Sequence, residues 1–90
     1  MNHFDSSISD EICKSLDHKI SKLQILNLSG NKLGAECGSK IAKELEENKT
    51  ILILDVRLCD FGSNNEIFIR EIECRNQEIM ITKKVKENFI

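Results

Sequence analysis

The side chains with reactive potential in this 90-residue chain are four cysteines, two histidines and scattered carboxylates. Cys13, Cys37, Cys59 and Cys74 are widely separated and form no Cys-x-x-Cys pair, so no zinc ligand set is legible. His3 and His18 have no nucleophile or carboxylate at a spacing that recommends either for acid–base work. Gly30, Gly34, Gly38 and Gly62 read as turn residues and make no phosphate-cradling fingerprint. The expectation is a chain that is not an enzyme, with no metal, no cofactor and no small-molecule substrate.

The composition narrows the class further. A net charge of -2 gives no reason to expect nucleic-acid binding. No apolar run approaches the roughly 20 residues of a membrane span. Residues 1–5 have neither a basic start nor a long apolar stretch, so no signal peptide is visible and a reducing cytoplasmic compartment is expected. Four free thiols suit that compartment. Tryptophan, tyrosine and proline are absent, which removes the usual aromatic anchors of a binding hot spot.

What organises the chain is a repeat. Leu23-x-x-Leu26-x-Leu28-x-x-Asn31-x-Leu33-Gly34 recurs, with its internal spacing unchanged, as Ile51-x-x-Leu54-x-Val56-x-x-Cys59-x-Phe61-Gly62. Alternation over 24–28 and a nearly continuous apolar run over 51–56 predict two strands. Ile8, Ile12, Cys13 and Leu16 make one helical stripe, and a single shift along the chain lays it on Cys37, Ile41, Ala42 and Leu45 of a second helix over 35–47. Ser7 with Asp10, and Ser63 with Glu66, fit capping boxes at the starts of the first and third helices. Phe68, Ile69 and Ile72 face the core of the third helix, which closes at Asn76, one repeat after Asn48. Beyond it Ile79 restarts in phase with Ile51, and Thr82, Lys84 and Lys86 then lose the pattern.

This pattern resembles the ribonuclease-inhibitor class of leucine-rich repeats, in which Asn or Cys is accepted at the position of Asn31 and Cys59. The likeness covers roughly residues 4–80. It implies an α/β fold: a short solenoid of about two and a half 28-residue strand–helix repeats, ordered α-β-α-β-α plus a tail. Residues 1–78 would form the solenoid and 79–90 a degenerate capping segment or tail with a polar outer face. The first helix begins mid-repeat, so its N-terminal side is expected to be covered by a preceding segment or by another protein. A narrower likeness, carried by Leu54-Asp55-Val56-Arg57-Leu58, Glu66 and the Ile-rich helix to Asn76, is to the last repeat of the leucine-rich subunit of the nexin–dynein regulatory complex. That resemblance implies a non-enzymatic scaffold subunit of the ciliary or flagellar axoneme, in the cytoskeleton, bound to other proteins in a large assembly. The alternative is a soluble cytosolic binding or regulatory module.

In such repeats the residues between the buried leucines point to the concave face, the usual binding surface. That places Ile25, Asn27 and Ser29 beside Ile53, Asp55 and Arg57 as the expected partner-binding patch. The plain alternative for Asp55 and Arg57 is a pair of solvated polar positions. Asn31 and Cys59 are expected to turn inward as rungs of a ladder. Cys74 falls on the outer side of the third helix. Lys83, Lys84 and Lys86 give the tail a positive run that, with Phe89, suits an acidic protein surface or simply water.

Overall fold

A computed structural model describes residues 6–88, so His3 and Phe89 lie outside the described residues. Three helices alternate with two strands: α1 (Ser6–Ser15), β1 (Ile25–Asn27), α2 (Gly34–Leu45), β2 (Ile53–Asp55) and α3 (Ser63–Asn88). The strands pair in parallel with Ile25 opposite Ile53, Leu26 opposite Leu54 and Asn27 opposite Asp55. Each pair is offset by one repeat of the sequence pattern. A helix crosses between them, as parallel pairing requires. The result is a small α/β fold in which three helices alternate with two parallel strands. Its strands are shorter than the spans expected over 24–28 and 51–56.

Leu16, Ile41, Leu45, Ile51, Leu54, Cys59, Phe61, Ile69 and Ile72 form the buried centre, with Ile12, Leu23, Leu26, Leu28, Leu33, Val56 and Phe68 packed around it. Burying each large aliphatic side chain contributes roughly 1.5–3 kcal/mol. Gly38 departs from the expected turn position. It lies in the middle of α2, buried, against the ring of Phe61. Ser9, one repeat earlier on α1, is likewise small and buried.

The caps also differ from expectation. Ser63 sits inside the first turn of α3, whose first bond runs from Glu66 N–H to the Gly62 carbonyl at 3.0 Å. The start of α3 is instead tied down by Asn65. Its amide donates to the carbonyls of Phe61 at 2.7 Å and Ala35 at 3.3 Å, and to Ser39 Oγ at 3.2 Å.

The largest correction concerns the end of the third helix. α3 does not close at Asn76 but continues unbroken to Asn88. The physical reason is local: residues 77–88 contain neither glycine nor proline and are rich in Gln, Glu, Met and Lys, all good helix formers. Residues 81–87 are exposed throughout, so this part of the helix is held by its own backbone rather than by packing.

One turn carries strain that the repeat itself exposes. Gly30 has φ +83, and one repeat later the same place is filled by Leu58 at φ 60. A side chain in that left-handed region costs roughly 1–2 kcal/mol, and Leu58 is 79% exposed, so little packing repays it. Leu58→Gly is expected to raise stability by about 1 kcal/mol, read as a midpoint several degrees higher in thermal denaturation. An unchanged or lower midpoint would show that the turn holds leucine without strain.

Candidate functional site

The two strands set Ile25 beside Ile53 and Asn27 beside Asp55, and Ser29 and Arg57 follow in the turns just beyond them. Ile25 and Ile53 stand side by side at 62% and 49% exposure, an apolar pair in water. Asn27 and Asp55 come next. Each folds its side-chain oxygen onto the amide two residues on, Asn27 Oδ1 taking Ser29 N–H at 2.9 Å and Asp55 Oδ1 taking Arg57 N–H at 3.1 Å. These turns end both strands in the same way.

The charges in this patch are already matched. Arg57 donates through Nε to Asp55 Oδ1 at 3.0 Å and through Nη2 to Oδ2 at 2.7 Å, a two-pronged pair. The guanidinium holds the Asp55 carboxyl below its usual range, and the carboxylate raises the Arg57 pKa. Arg57 thus has a carboxylate partner within the chain while its side chain stays 81% exposed.

Asn31 and Cys59 take different inward roles. Cys59 is fully buried, and its thiol donates to the Leu28 carbonyl of the adjacent turn at 3.0 Å. Asn31 is half-buried and donates within its own turn, to the carbonyls of Leu28 at 3.0 Å and Ser29 at 3.4 Å. A second and more deeply buried pair of rungs is formed by Asn48 and Asn76, again one repeat apart. Asn48 Nδ2 donates to Leu16 O at 2.8 Å, while Oδ1 accepts Thr50 N–H at 2.9 Å and Ile51 N–H at 2.8 Å. Asn76 Nδ2 donates to Ile51 O at 2.9 Å.

Burial pushes the thiols of Cys13, Cys37 and Cys59 up, away from the reactive thiolate. Cys74 is exposed on α3.

The structure also gathers one cluster that spacing does not suggest. Asp17, His18 and Glu44 place one ligand-type atom each within 4.8 Å of one another. Asp17 Oδ1 already accepts Lys19 N–H at 3.0 Å, and Asp17 and His18 are both about two-fifths exposed on their side chains. This is how solvated polar groups at loop ends look. A cleft of about 180 Å³ lies between β2 and α3, lined by Leu54, Arg57, Glu66, Ile69, Arg70 and Glu73. That is below the roughly 300 Å³ at which small-molecule pockets begin.

The outer edge of β2 is sealed by α3, which the sequence reading missed. Glu73 Oε2 accepts Leu54 N–H at 3.2 Å and Gln77 Nε2 donates to Leu52 O at 2.7 Å. Arg75 reaches the end of α2, donating to the carbonyls of Glu46 at 3.0 Å and Leu45 at 3.4 Å, and to that of Asn48. Residues 73, 76 and 77 stand at i, i+3 and i+4, so they share one face of the helix. That polar triplet beside Ile69 and Ile72 was the available signal.

Glu73 gives a test of this seal. Burial raises its pKa above the usual carboxylate value. The folded protein therefore holds this proton more tightly than the unfolded chain, and stability falls as pH rises through the window just above that value. Glu73→Gln keeps an acceptor for Leu54 N–H without the charge, so it is expected to match or exceed the parent at pH 7 and to flatten that pH dependence. Glu73→Leu removes the acceptor and is expected to cost about 1–3 kcal/mol. Equal urea midpoints for the Gln and Leu variants would show that the bond to Leu54 contributes nothing.

Residues 19–42 match a family model described as a leucine-rich repeat, a span covering β1 and most of α2. No curated protein matches the chain. Residues 19–42 are thus similar to a leucine-rich repeat, a unit that is typically a non-enzymatic module for protein–protein interaction.

Proposed function

We propose that this chain is a protein-binding module that docks other proteins end-on, at the face formed by α1 and β1. The observation that carries this is a difference between equivalent positions. Ile51, Leu54, Cys59 and Phe61 are 0–3% exposed, whereas Leu23, Leu26, Asn31 and Leu33, one repeat earlier, are only half-buried. Ile8 is 37% exposed where its counterpart Cys37 is 8% exposed. The first unit has a stacked neighbour on one side only among the described residues, and β1 pairs only with β2. An apolar end beside an unpaired strand edge favours a neighbour stacked there, either another protein or a preceding segment of chain. At the other end α3 closes the edge.

Ile8→Glu places a charge on this end without touching the concave patch. It is expected to weaken capture of the native partners at least tenfold, while Asp55→Ala with Arg57→Ala leaves capture intact. The reverse result would move recognition to the concave patch and overturn end-on docking.

The likeness of Leu54 through Asn76 to the terminal repeat of the axonemal regulatory subunit supports a larger reading. In it the module is a built-in scaffold subunit of the cilium or flagellum. Retention with detergent-extracted axonemes through moderate salt is the expected result. Complete release with the soluble fraction would remove the axonemal placement and leave a soluble cytosolic binding module.

A further inference from the structure

The joint between the two strand–helix units specifies what fits against the open end. Across it the second unit points N–H groups back at the first: Leu52 and Ile53 both donate to the Gln24 carbonyl, at 2.7 and 3.0 Å. It also points carbonyls back. Asp55 O accepts Leu28 N–H at 2.8 Å, Arg57 O accepts Gly30 N–H at 2.9 Å, and Cys59 O accepts Leu33 and Gly34 N–H at 3.0 Å. Shifted back by one repeat, the same groups are the N–H of Gln24 and Ile25 and the carbonyls of Asn27, Ser29 and Asn31. They line the edge of β1, and the turn beyond it, with which no strand pairs among the described residues. The side chains follow suit. The Cys59 thiol reaches the preceding unit at Leu28 O, whereas the Asn31 amide, at the equivalent place, bends back onto Leu28 and Ser29 of its own turn.

The helical layer repeats the arrangement, since α1 packs on α2 as β1 pairs with β2. On the open side Ile8 of α1 is 37% exposed. Ile20, one repeat before the fully buried Asn48, is an apolar side chain 74% exposed. An extended peptide on β1 would satisfy the strand edge and leave Ile8 bare. A lone helix on α1 would cover Ile8 and leave the edge unpaired. A unit that carries both, with its strand parallel to β1, does both, because it repeats the contacts by which the second unit docks on the first. A second copy of this chain does not offer that surface. Its far edge is β2, where the Leu52 carbonyl, equivalent to Gln24 O, holds Gln77 Nε2 at 2.7 Å, and Leu54 N–H is held by Glu73 Oε2 at 3.2 Å. A two-fold pairing of β1 with β1 would run antiparallel and lose the register.

We infer that the partner at the α1 and β1 end is a leucine-rich-repeat protein whose last unit is open, stacking its strand parallel to β1 and its helix against α1. This partner class rests on the end-on docking of another protein proposed above. In the joined form the first unit continues the partner's sheet and α3 seals the far edge, so this chain acts as a separable cap on the partner's stack.

The test is an NMR titration of the full chain with a short array of consensus leucine-rich repeats, made in two forms. One form has its last strand open, and the other has a capping helix over that strand. The open form is expected to bind, to slow hydrogen exchange of the Gln24 and Ile25 amides at least tenfold, and to leave that of the Leu54 amide unchanged. The capped form is expected to bind at least tenfold more weakly. Ile20→Glu, at a site exposed in the free chain, is expected to raise the dissociation constant for the open array at least tenfold without altering the helical circular dichroism. No binding of the open array into the hundreds of micromolar overturns the partner class. If Ile8→Glu still weakens capture of native partners in that case, end-on docking stands and only the partner class falls. Binding that survives Ile20→Glu and leaves the Gln24 and Ile25 amides unprotected also overturns it, by placing the array elsewhere. So does an array that fails as a separate protein but raises the thermal midpoint when fused ahead of the chain, since the occupant is then a preceding segment.

Discussion

Replacing Asn48 with alanine is expected to lower the unfolding free energy by about 3–5 kcal/mol. The side chain is 0% exposed, and it ties the end of α1 to the entry of β2. Its Nδ2 serves the last carbonyl region of α1 through Leu16 O, and its Oδ1 serves the amides of Thr50 and Ile51 just before β2. Alanine leaves one buried carbonyl and two amides without those partners, each stranded group costing about 1–3 kcal/mol. Thr50 is half-buried, so water can repay part of its share, which keeps the sum below the simple total. Set against the roughly 5–15 kcal/mol that a small domain has in all, this is a large fraction. Asn48→Asp keeps the acceptors but loses the donor to Leu16 and buries a charge, so it is expected to be no better than alanine at neutral pH. Urea denaturation measures both. A loss under about 1 kcal/mol for alanine would mean that water or a backbone shift replaces the amide.

That residue also shows how far the fold is legible from periodicity. The repeat spacing of Leu26 to Leu54 and Gln24 to Leu52 predicts parallel strands in the register found, because a repeated strand–helix unit has few other ways to bury its apolar face. The same spacing marks Asn48 and Asn76 as equivalent. It does not show that these asparagines are buried more deeply than Asn31, which spacing names as the rung. Burial of a rung depends on neighbours on both sides, and among the described residues the first unit has a stacked neighbour on only one. The pairing of Ile25 with Ile53 and of Asn27 with Asp55 was legible as a juxtaposition, since strand register fixes it, while Ser29 and Arg57 lie in the turns beyond the strands. That Arg57 turns back onto Asp55 was not, because a rotamer choice leaves no periodic trace. The end of α3 was misplaced for a related reason. Repeat phase suggested a stop at Asn76, while the local composition after it favours helix, and the local preference wins.

Gly38 and Phe61 form the other sensitive point, and here a single methyl group decides the outcome. A Cβ on Gly38 would lie 2.7 Å from Phe61 Cγ, 2.8 Å from its Cβ and 3.0 Å from its Cα. In an open helix, glycine to alanine would gain about 1 kcal/mol. In α2 the clash wins, because Phe61 cannot retreat. Its side chain is 0% exposed, its carbonyl holds the Asn65 amide at 2.7 Å, and the Cys59 carbonyl two residues earlier holds Leu33 and Gly34 at 3.0 Å. Overpacking of this kind costs about 1–3 kcal/mol, and contact with main chain places it at the upper end. Gly38→Ala is therefore expected to lose about 2 kcal/mol net. Phe61→Ala alone is expected to lose about 3–5 kcal/mol through the cavity it leaves. The double variant should be more stable than the sum of the two losses predicts, by at least about 1 kcal/mol, because the new methyl enters space the ring has vacated. Strict additivity in that cycle would mean that α2 and the turn at Phe61 are not in contact, and would undo the packing on which the second unit rests.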